Sequence, residues 1–331
     1  MKQFTDVIGN EGVITHFRQA LQADAAVHAY LIGGEKGLGK KLTAGIFAAS
    51  LLCREVDPAG RPCGHCDACI KIAAGSHPDL KWITTDKNSL GVEEIRTQVV
   101  DDMSIKPYYG GRKIYLIPDA EKMTPQAQNA LLKTIEEPAG YGVVILLANV
   151  EEGILPTITS RCLRLNCKPV TGDQLEKYLI RKYRLPDYRA AALAAFARGN
   201  IGRAKQLLAD EEFEEMKQSL LQLLKYLSEW SSTRLLEYAA ELKPYKQRIG
   251  EYLDLLQVWY RDVLLYKSTG RTEGLIFSDQ TALIKRRADA IGYDGLERSL
   301  QAIGQADIRL RANVNQELTM GLLITALADN A

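Results

Sequence analysis

Two patterns of hydrophobic residues divide the chain near residue 167. Before that point, short apolar runs alternate with segments whose apolar residues recur at helical spacing. The apolar runs predict strands over 29–32, 80–83, 113–117, 143–148 and 162–165. The helical spacing predicts helices over 40–52, 92–103 and 125–136. Because strands that alternate with helices form a parallel sheet covered on both faces, we expect an α/β domain here.

The remainder of the chain has only the helical pattern. Residues 171–209 indicate short helices, and the chain from about 210 onwards is helical throughout. We therefore expect three domains, an α/β domain over 1–167, a small helical domain over 168–209 and a larger helical domain over 210–331. One predicted helix, over 252–266, is apolar nearly all round, which indicates burial on more than one side. Burial within its own domain and packing against partner subunits both remain open.

Composition is that of an ordinary globular protein. The 331 residues are 46% hydrophobic and 25% charged, and 42 Lys and Arg against 41 Asp and Glu leave a net charge of +1. This balance argues against a dedicated nucleic-acid coat protein but leaves local basic patches possible. The apolar runs are too short to cross a membrane, and the first residues do not resemble a secretory signal. We expect a cytoplasmic protein.

Four cysteines lie close together in the sequence, at Cys53, Cys63, Cys66 and Cys69. Four thiolates at this spacing favour a tetrahedral zinc site, which is structural because no coordination position stays open. An iron–sulfur centre is the alternative, although its usual final Cys-Pro is missing after Cys69. Four unliganded thiols fit this spacing poorly. Cys162 and Cys167 lie far along the chain, and we expect both to be buried thiols.

A glycine-rich loop follows the first predicted strand and opens a helix. It contains Gly34, Gly37 and Gly39, followed by Lys40. In this context the backbone N–H groups and the helix N-terminus favour phosphate, and Lys40 would contact the terminal phosphates. The next residue is Lys41, where the motif has Ser or Thr to hold Mg²⁺.

Besides Lys41, a second departure from the usual motif lies at the end of the strand over 113–117. Pro118 stands where a metal-binding Asp is expected, and Asp119 stands where a water-orienting Glu is expected. Since side chains alternate along a strand, Asp119 should not simply replace the carboxylate missing at position 118. Both departures remove ligands that Mg²⁺ would need. We therefore expect a loop that keeps its phosphate-binding shape but does not hydrolyse ATP, and whether it binds nucleotide stays open.

Several motifs together resemble a known family. Phe4 to Gly9, His28 to Leu31, the glycine-rich loop with its cysteines, Asn129 to Pro138 and Leu155 to Cys162 occur in the same order in the AAA+ clamp-loader family of bacterial DNA polymerase III, and most closely resemble its delta-prime subunits. The resemblance continues through Gly199 to Ala204 and Ala312 to Leu318. It implies an AAA+ module with a zinc insert at about 53–69, a helical lid and a C-terminal collar that joins subunits.

The resemblance also implies roles for single residues. Asn149 falls at the first sensor position and Arg203 at the second, and without metal ligands both are expected to serve packing. Arg161 falls where the family has an arginine that reaches into a neighbouring subunit's ATP site and stabilises charge on the transferred phosphoryl group. A surface salt bridge is the alternative for Arg161.

These observations predict a non-hydrolysing clamp-loader subunit of the DNA polymerase III holoenzyme. Its expected partners are the other clamp-loader subunits, with the sliding clamp and primed DNA reached through the complex. Two alternatives stay open. One is an ATPase motor of the same fold, and the other is a zinc-dependent DNA-binding or repair module.

Overall fold

The computed structural model describes residues 2–109 and 111–330, which form two compact units. The first unit contains Met1–Gln174 and Asn200–Gly202, and the second contains Leu175–Gly199 and Arg203–Ala331. No helix in the described ranges is both long enough and apolar enough to cross a membrane. The boundaries at 167 and 209 stay predictions.

A five-stranded parallel sheet forms the centre of the first unit. Its strands are β1 (Ala29–Gly33), β2 (Leu80–Trp82), β3 (Lys113–Ile117), β4 (Gly142–Leu147) and β5 (Leu163–Asn166). They lie in the order β2-β3-β4-β1-β5, so β1 is paired with both β4 and β5. The glycine-rich loop that follows β1 therefore lies at the carboxyl edge of the sheet, between the ends of these two neighbours.

Helices flank the sheet, and alternate residues of each strand face opposite cores. On one face Tyr30 packs with Phe17 and Phe47, whose rings stack at 3.9 Å. On the other face Leu31 and Tyr115 are fully buried. The helices are α1 (Glu11–Gln22), α2 (Lys40–Leu52), α3 (Asp67–Ala73), α4 (Val92–Ile95, continued by a π-helical segment Arg96–Asp101), α5 (Pro125–Glu136) and α6 (Pro156–Thr159).

The start of α5 shows how the sequence sets one of these helices. Thr124 caps it by accepting a hydrogen bond from Ala127 N, and Pro125 fills the first helical position, where its missing N–H has no cost. The expected fold class, an α/β domain with a parallel sheet followed by helical structure, is confirmed.

After β5 the described chain is helical. Its helices are α7 (Gly172–Tyr183), α8 (Asp187–Ala197), α9 (Ile201–Leu208), α10 (Glu211–Tyr226), α11 (Ser232–Glu241), α12 (Ile249–Thr269), α13 (Thr281–Ala290), α14 (Tyr293–Arg311) and α15 (Gln316–Asp329). The apolar helix predicted over 252–266 lies within α12. It packs against α10, α13 and α14, which explains the burial of Tyr252, Leu256 and Trp259 within the second unit.

Candidate functional site

The loop between β1 and α2 surrounds the ammonium group of its own lysine. Lys40 is the first residue of α2, and only 6% of it is exposed. Its Nζ donates to the carbonyl of Gly34, to Glu35 O at 2.8 Å and to Asn149 Oδ1 at 2.9 Å. Burial lowers the pKa of Lys40. Three oxygen atoms of the protein thus satisfy the three N–H donors that a phosphate would otherwise occupy.

A second motif of the sequence holds the same loop. Asn200 Nδ2 donates to Lys36 O at 2.8 Å, and Gly202 N donates to Gly37 O at 3.0 Å. Gly37 has a φ of +97°, and a Cβ there would lie 2.3 Å from Asn200 Oδ1. Glycine is therefore required at position 37 for both its conformation and this close approach. Gly34 and Gly39 also have positive φ values, of +129° and +90°.

Asn149 connects Lys40 to two carboxylates. Its Nδ2 donates to Asp119 Oδ1 at 2.8 Å and to Glu121 Oε1 at 2.7 Å, and its backbone N donates to Glu121 Oε2 at 3.2 Å. The sequence pattern indicates no role for Glu121. Glu121 lies only two residues beyond Asp119, but nothing in the local pattern shows that its carboxylate contacts Asn149, which follows β4.

Lys41 and Asp119 form an ion pair where an intact glycine-rich loop of this type would hold magnesium. Lys41 Nζ lies 3.5 Å from Asp119 Oδ2. Burial acts to raise the pKa of Asp119, but the hydrogen bond from Asn149 and the ammonium groups of Lys41 and Lys122 outweigh it, so the pKa lies below its usual value. Asp119 has a left-handed backbone, with a φ of +51°, directly after Pro118. Its carboxylate therefore leaves the regular alternation of β3.

Arg161 lies in the loop between α6 and β5. Its Nε is 2.9 Å from Glu136 Oε1, and its Nη1 donates to Thr157 O at 3.0 Å and to Ser160 Oγ at 3.3 Å. The side chain stays 42% exposed. The guanidinium is thus held by local partners and remains open to solvent.

Arg203 belongs to the second unit. Its Nη2 lies 3.7 Å from Asp254 Oδ2, and Arg198 Nη2 lies 2.9 Å from the other oxygen of that carboxylate. The structure therefore gives Arg203 an acidic partner on α12, which the sequence pattern did not indicate.

The four clustered cysteines come together around one point. All four Sγ atoms lie within 4.8 Å of one another, with Cys53 and Cys66 at 3.9 Å and Cys63 and Cys69 at 4.0 Å. Four Zn–S bonds of about 2.3 Å place the sulfur atoms of a tetrahedron about 3.8 Å apart. Backbone N–H groups also point at the sulfur atoms, including Cys63 N to Cys53 Sγ at 3.3 Å. Donor type, spacing and hydrogen bonding all fit a tetrahedral metal ion.

The remaining cysteines lie outside this cluster. Cys167 is buried, as expected, whereas Cys162 is only half-buried. Burial raises the pKa of Cys162 to about 12 and that of Cys167 to about 11, so both remain thiols at neutral pH. His65 is exposed, and its Nδ1 lies 3.1 Å from Cys63 O.

Comparison with known proteins gives a consistent family assignment. A family model described as "DNA polymerase III, delta subunit" matches residues 9–171, and one described as "DNA polymerase III, delta subunit, C terminal" matches residues 211–329. The chain is 30% identical to the DNA polymerase III subunit delta' of Bacillus subtilis, over 94% of this chain and 93% of that protein. It is 34% identical to the same subunit of Pseudomonas aeruginosa, over 91% and 92% of the two chains.

Among solved structures, the Bacillus subtilis DNA clamp loader delta protein is similar at 13% identity. The match covers 96% of this chain and 99% of that protein, with a TM-score of 0.35. The two delta-prime relatives match at 30% identity or more along almost their whole length. The chain therefore belongs to the delta-prime family of DNA polymerase III subunits.

Proposed function

We propose that this chain is a clamp-loader subunit that assists ATP-driven loading of the sliding clamp onto primed DNA without hydrolysing ATP itself. Family membership supports the clamp-loader role. The absence of hydrolysis is inferred from the ion pair between Lys41 and Asp119, which puts an ammonium group where Mg²⁺ would bind. We further propose that the helical region over 168–209 is a lid and that 210–331 is the collar that joins the other subunits.

The degenerate loop opposes magnesium for a simple electrostatic reason. A metal ion at Asp119 would have to displace Lys41 Nζ and then stay close to a second positive charge at Lys40. Lys41 supplies no oxygen ligand, and Mg²⁺ needs oxygen ligands in a near-ideal octahedron. Without the ion, charge that develops on a transferred phosphoryl group is not neutralised, so turnover at this loop is lost.

In this proposal Arg161 is the residue through which the subunit promotes ATP hydrolysis in a neighbouring subunit. Its guanidinium is exposed, has a fixed local setting and does not belong to the glycine-rich loop. Inserted into the ATP site of an adjacent subunit, it would stabilise charge on the phosphoryl oxygens in the transition state. The planar fork of the guanidinium can contact two oxygen atoms together, which an ammonium group cannot do.

Zinc has a structural role in this proposal. Cys53 is the residue that ends α2, and Cys66 caps the start of α3 by accepting from Cys69 N. A metal ion bound by Cys53, Cys63, Cys66 and Cys69 would tie the end of one helix to the start of the next. Four protein ligands leave no position for substrate, which excludes Lewis-acid catalysis at this ion.

The test is the steady-state ATPase rate of reconstituted clamp-loader complexes with DNA and clamp present. We expect Arg161→Ala to assemble normally but to lower hydrolysis at the site it serves by on the order of a thousandfold, with partial recovery in Arg161→Lys. Arg164→Ala is the matched control, because Arg164 is also exposed and lies only three residues away. An assembled Arg161→Ala complex with an unchanged rate would reduce Arg161 to a surface salt bridge.

A further inference from the structure

One tyrosine next to the cysteine cluster is fixed in position and yet almost fully exposed. Tyr108 is 80% exposed. Its backbone N donates to Asp79 Oδ1 at 2.7 Å, and the backbone N of Tyr109 donates to Asp79 Oδ2 at 3.0 Å. Asp79 is only 1% exposed, so a buried carboxylate anchors both residues. The chain thus holds a large aromatic ring in solvent on a firmly hydrogen-bonded backbone, which core packing does not explain.

Two cationic side chains contact the neighbouring Tyr109. The Arg54 guanidinium carbon lies 5.2 Å from the centre of the Tyr109 ring. Lys71 Nζ lies 4.5 Å from the same centre and donates to the Tyr109 hydroxyl, at the edge of the ring. The Tyr109 ring lies 5.3 Å from the Tyr108 ring at an angle of 66°. These four residues, the tyrosine cluster, therefore place the Arg54 guanidinium over the half-buried Tyr109 ring, which in turn lies next to the exposed ring of Tyr108.

The cysteine module supplies both cations. Arg54 directly follows Cys53, and Lys71 is two residues beyond Cys69 on α3. Lys71 pairs with Asp67 at 3.2 Å, whereas no carboxylate in the described ranges lies within ion-pair distance of Arg54. The module thus positions at least one cation for an external anion.

We propose that the tyrosine cluster binds single-stranded DNA, with a base stacked on Tyr108 and the phosphate backbone paired with Arg54. Aromatic platforms beside cationic side chains bind single strands without base preference, because every base has a π face. A peptide partner fits less well, since peptide anchors fill pockets and Tyr108 projects into solvent instead. This site is separate from the glycine-rich loop and Arg161, so it stands whether or not the proposed ATPase role is correct.

The test uses the full chain and a fluorescein-labelled oligo(dT) of about 15 nucleotides, with binding followed by anisotropy at several salt concentrations. We expect Tyr108→Ala to weaken binding by about tenfold or more and Tyr108→Phe to retain most of it, because the ring remains. Arg54→Ala should reduce the slope of log affinity against log salt by about 0.7, the value for one lost phosphate contact on a single strand. Tyr293→Ala is the matched control, since Tyr293 is 56% exposed on α14.

Three results would overturn the proposal. One is oligo(dT) binding that is absent at low salt or does not depend on salt. Another is a Tyr108→Ala variant that binds as tightly as the wild-type chain, or a Tyr293→Ala variant that loses as much affinity as Tyr108→Ala. The third is a labelled acidic peptide that needs Tyr108 while oligo(dT) does not, which would assign the cluster to a protein partner. Circular dichroism of each variant verifies that the fold is intact.

Discussion

Arg161 Nε lies 2.9 Å from Glu136 Oε1, and this pair joins the loop after α6 to the last residue of α5. Both side chains are more than 40% exposed, so solvent screens the attraction. An arginine that acts in a neighbouring ATP site has to exchange this carboxylate for phosphate. If Arg161 acts in trans as proposed, Glu136 is a positioning residue that holds it until the neighbour is present, and the exposed geometry makes the restraint weak.

Glu136→Gln should raise the ATPase rate of a reconstituted complex when this chain is present at limiting concentration. The expected gain is at most about fivefold, because an exposed ion pair contributes at most about 1 kcal/mol. Glu137→Gln, an exposed neighbour, is the control. In an Arg161→Ala background the effect of Glu136→Gln should vanish, and a gain that persists there would show that Glu136 acts by another route.

Lys40→Ala should destabilise the chain while leaving the ATPase rate of the assembled loader unchanged. The substitution leaves Gly34 O, Glu35 O and Asn149 Oδ1 without their shared donor, which should cost about 1–3 kcal/mol of unfolding free energy. Urea denaturation measures the first effect, and steady-state turnover measures the second. Lys36→Ala, an exposed lysine of the same loop, should change neither. A large loss of turnover in Lys40→Ala would mean that this loop hydrolyses ATP after all.

Lys41→Met should raise the pKa of Asp119, because it removes one of the ammonium groups that hold this pKa below its usual value. A carboxyl group with a lowered folded pKa contributes stability above its unfolded pKa and loses it as the pH falls through the folded pKa. The variant should therefore lose less stability between neutral and acidic pH than the wild-type chain does. Carbon-13 NMR titration of the Asp119 carboxyl group measures the pKa directly. Lys36→Met is the control, and an unchanged Asp119 pKa in Lys41→Met would contradict the ion pair.

Local signals predicted the elements of the first unit closely. The helices expected over 40–52 and 125–136 have those bounds in α2 and α5. Their signals act within one or two turns: apolar spacing in both helices, with Thr124 and Pro125 at the start of α5. The segment expected as one helix over 92–103 instead changes from α to π geometry at Arg96. Apolar spacing does not distinguish these two geometries over so short a segment.

The contacts of the site could not be predicted in the same way. Glu121 with Asn149, Glu136 with Arg161 and Arg54 with Tyr109 each join residues far apart in sequence. The order of the strands in the sheet brings such residues together, and the periodicity of the sequence does not predict that order. Motif spacing pointed to Lys40 and the four cysteines, because those residue types carry a chemistry that depends on their own positions, whereas Asn149 was indicated only by the family resemblance.

Purified protein should contain about one zinc ion per chain, and Cys66→Ser should lose it because three thiolates bind zinc more weakly than four. Since Cys53 ends α2 and Cys66 starts α3, loss of the ion should free the segment between them while the buried strands β1 and β4 stay folded. Metal analysis gives the stoichiometry, and hydrogen exchange should show lost protection around 53–73 only. Cys162→Ser, which removes a thiol outside the cluster, should keep both the metal and the protection. Iron in place of zinc, no metal after gentle purification, or exchange that spreads through the sheet would each contradict a structural zinc site.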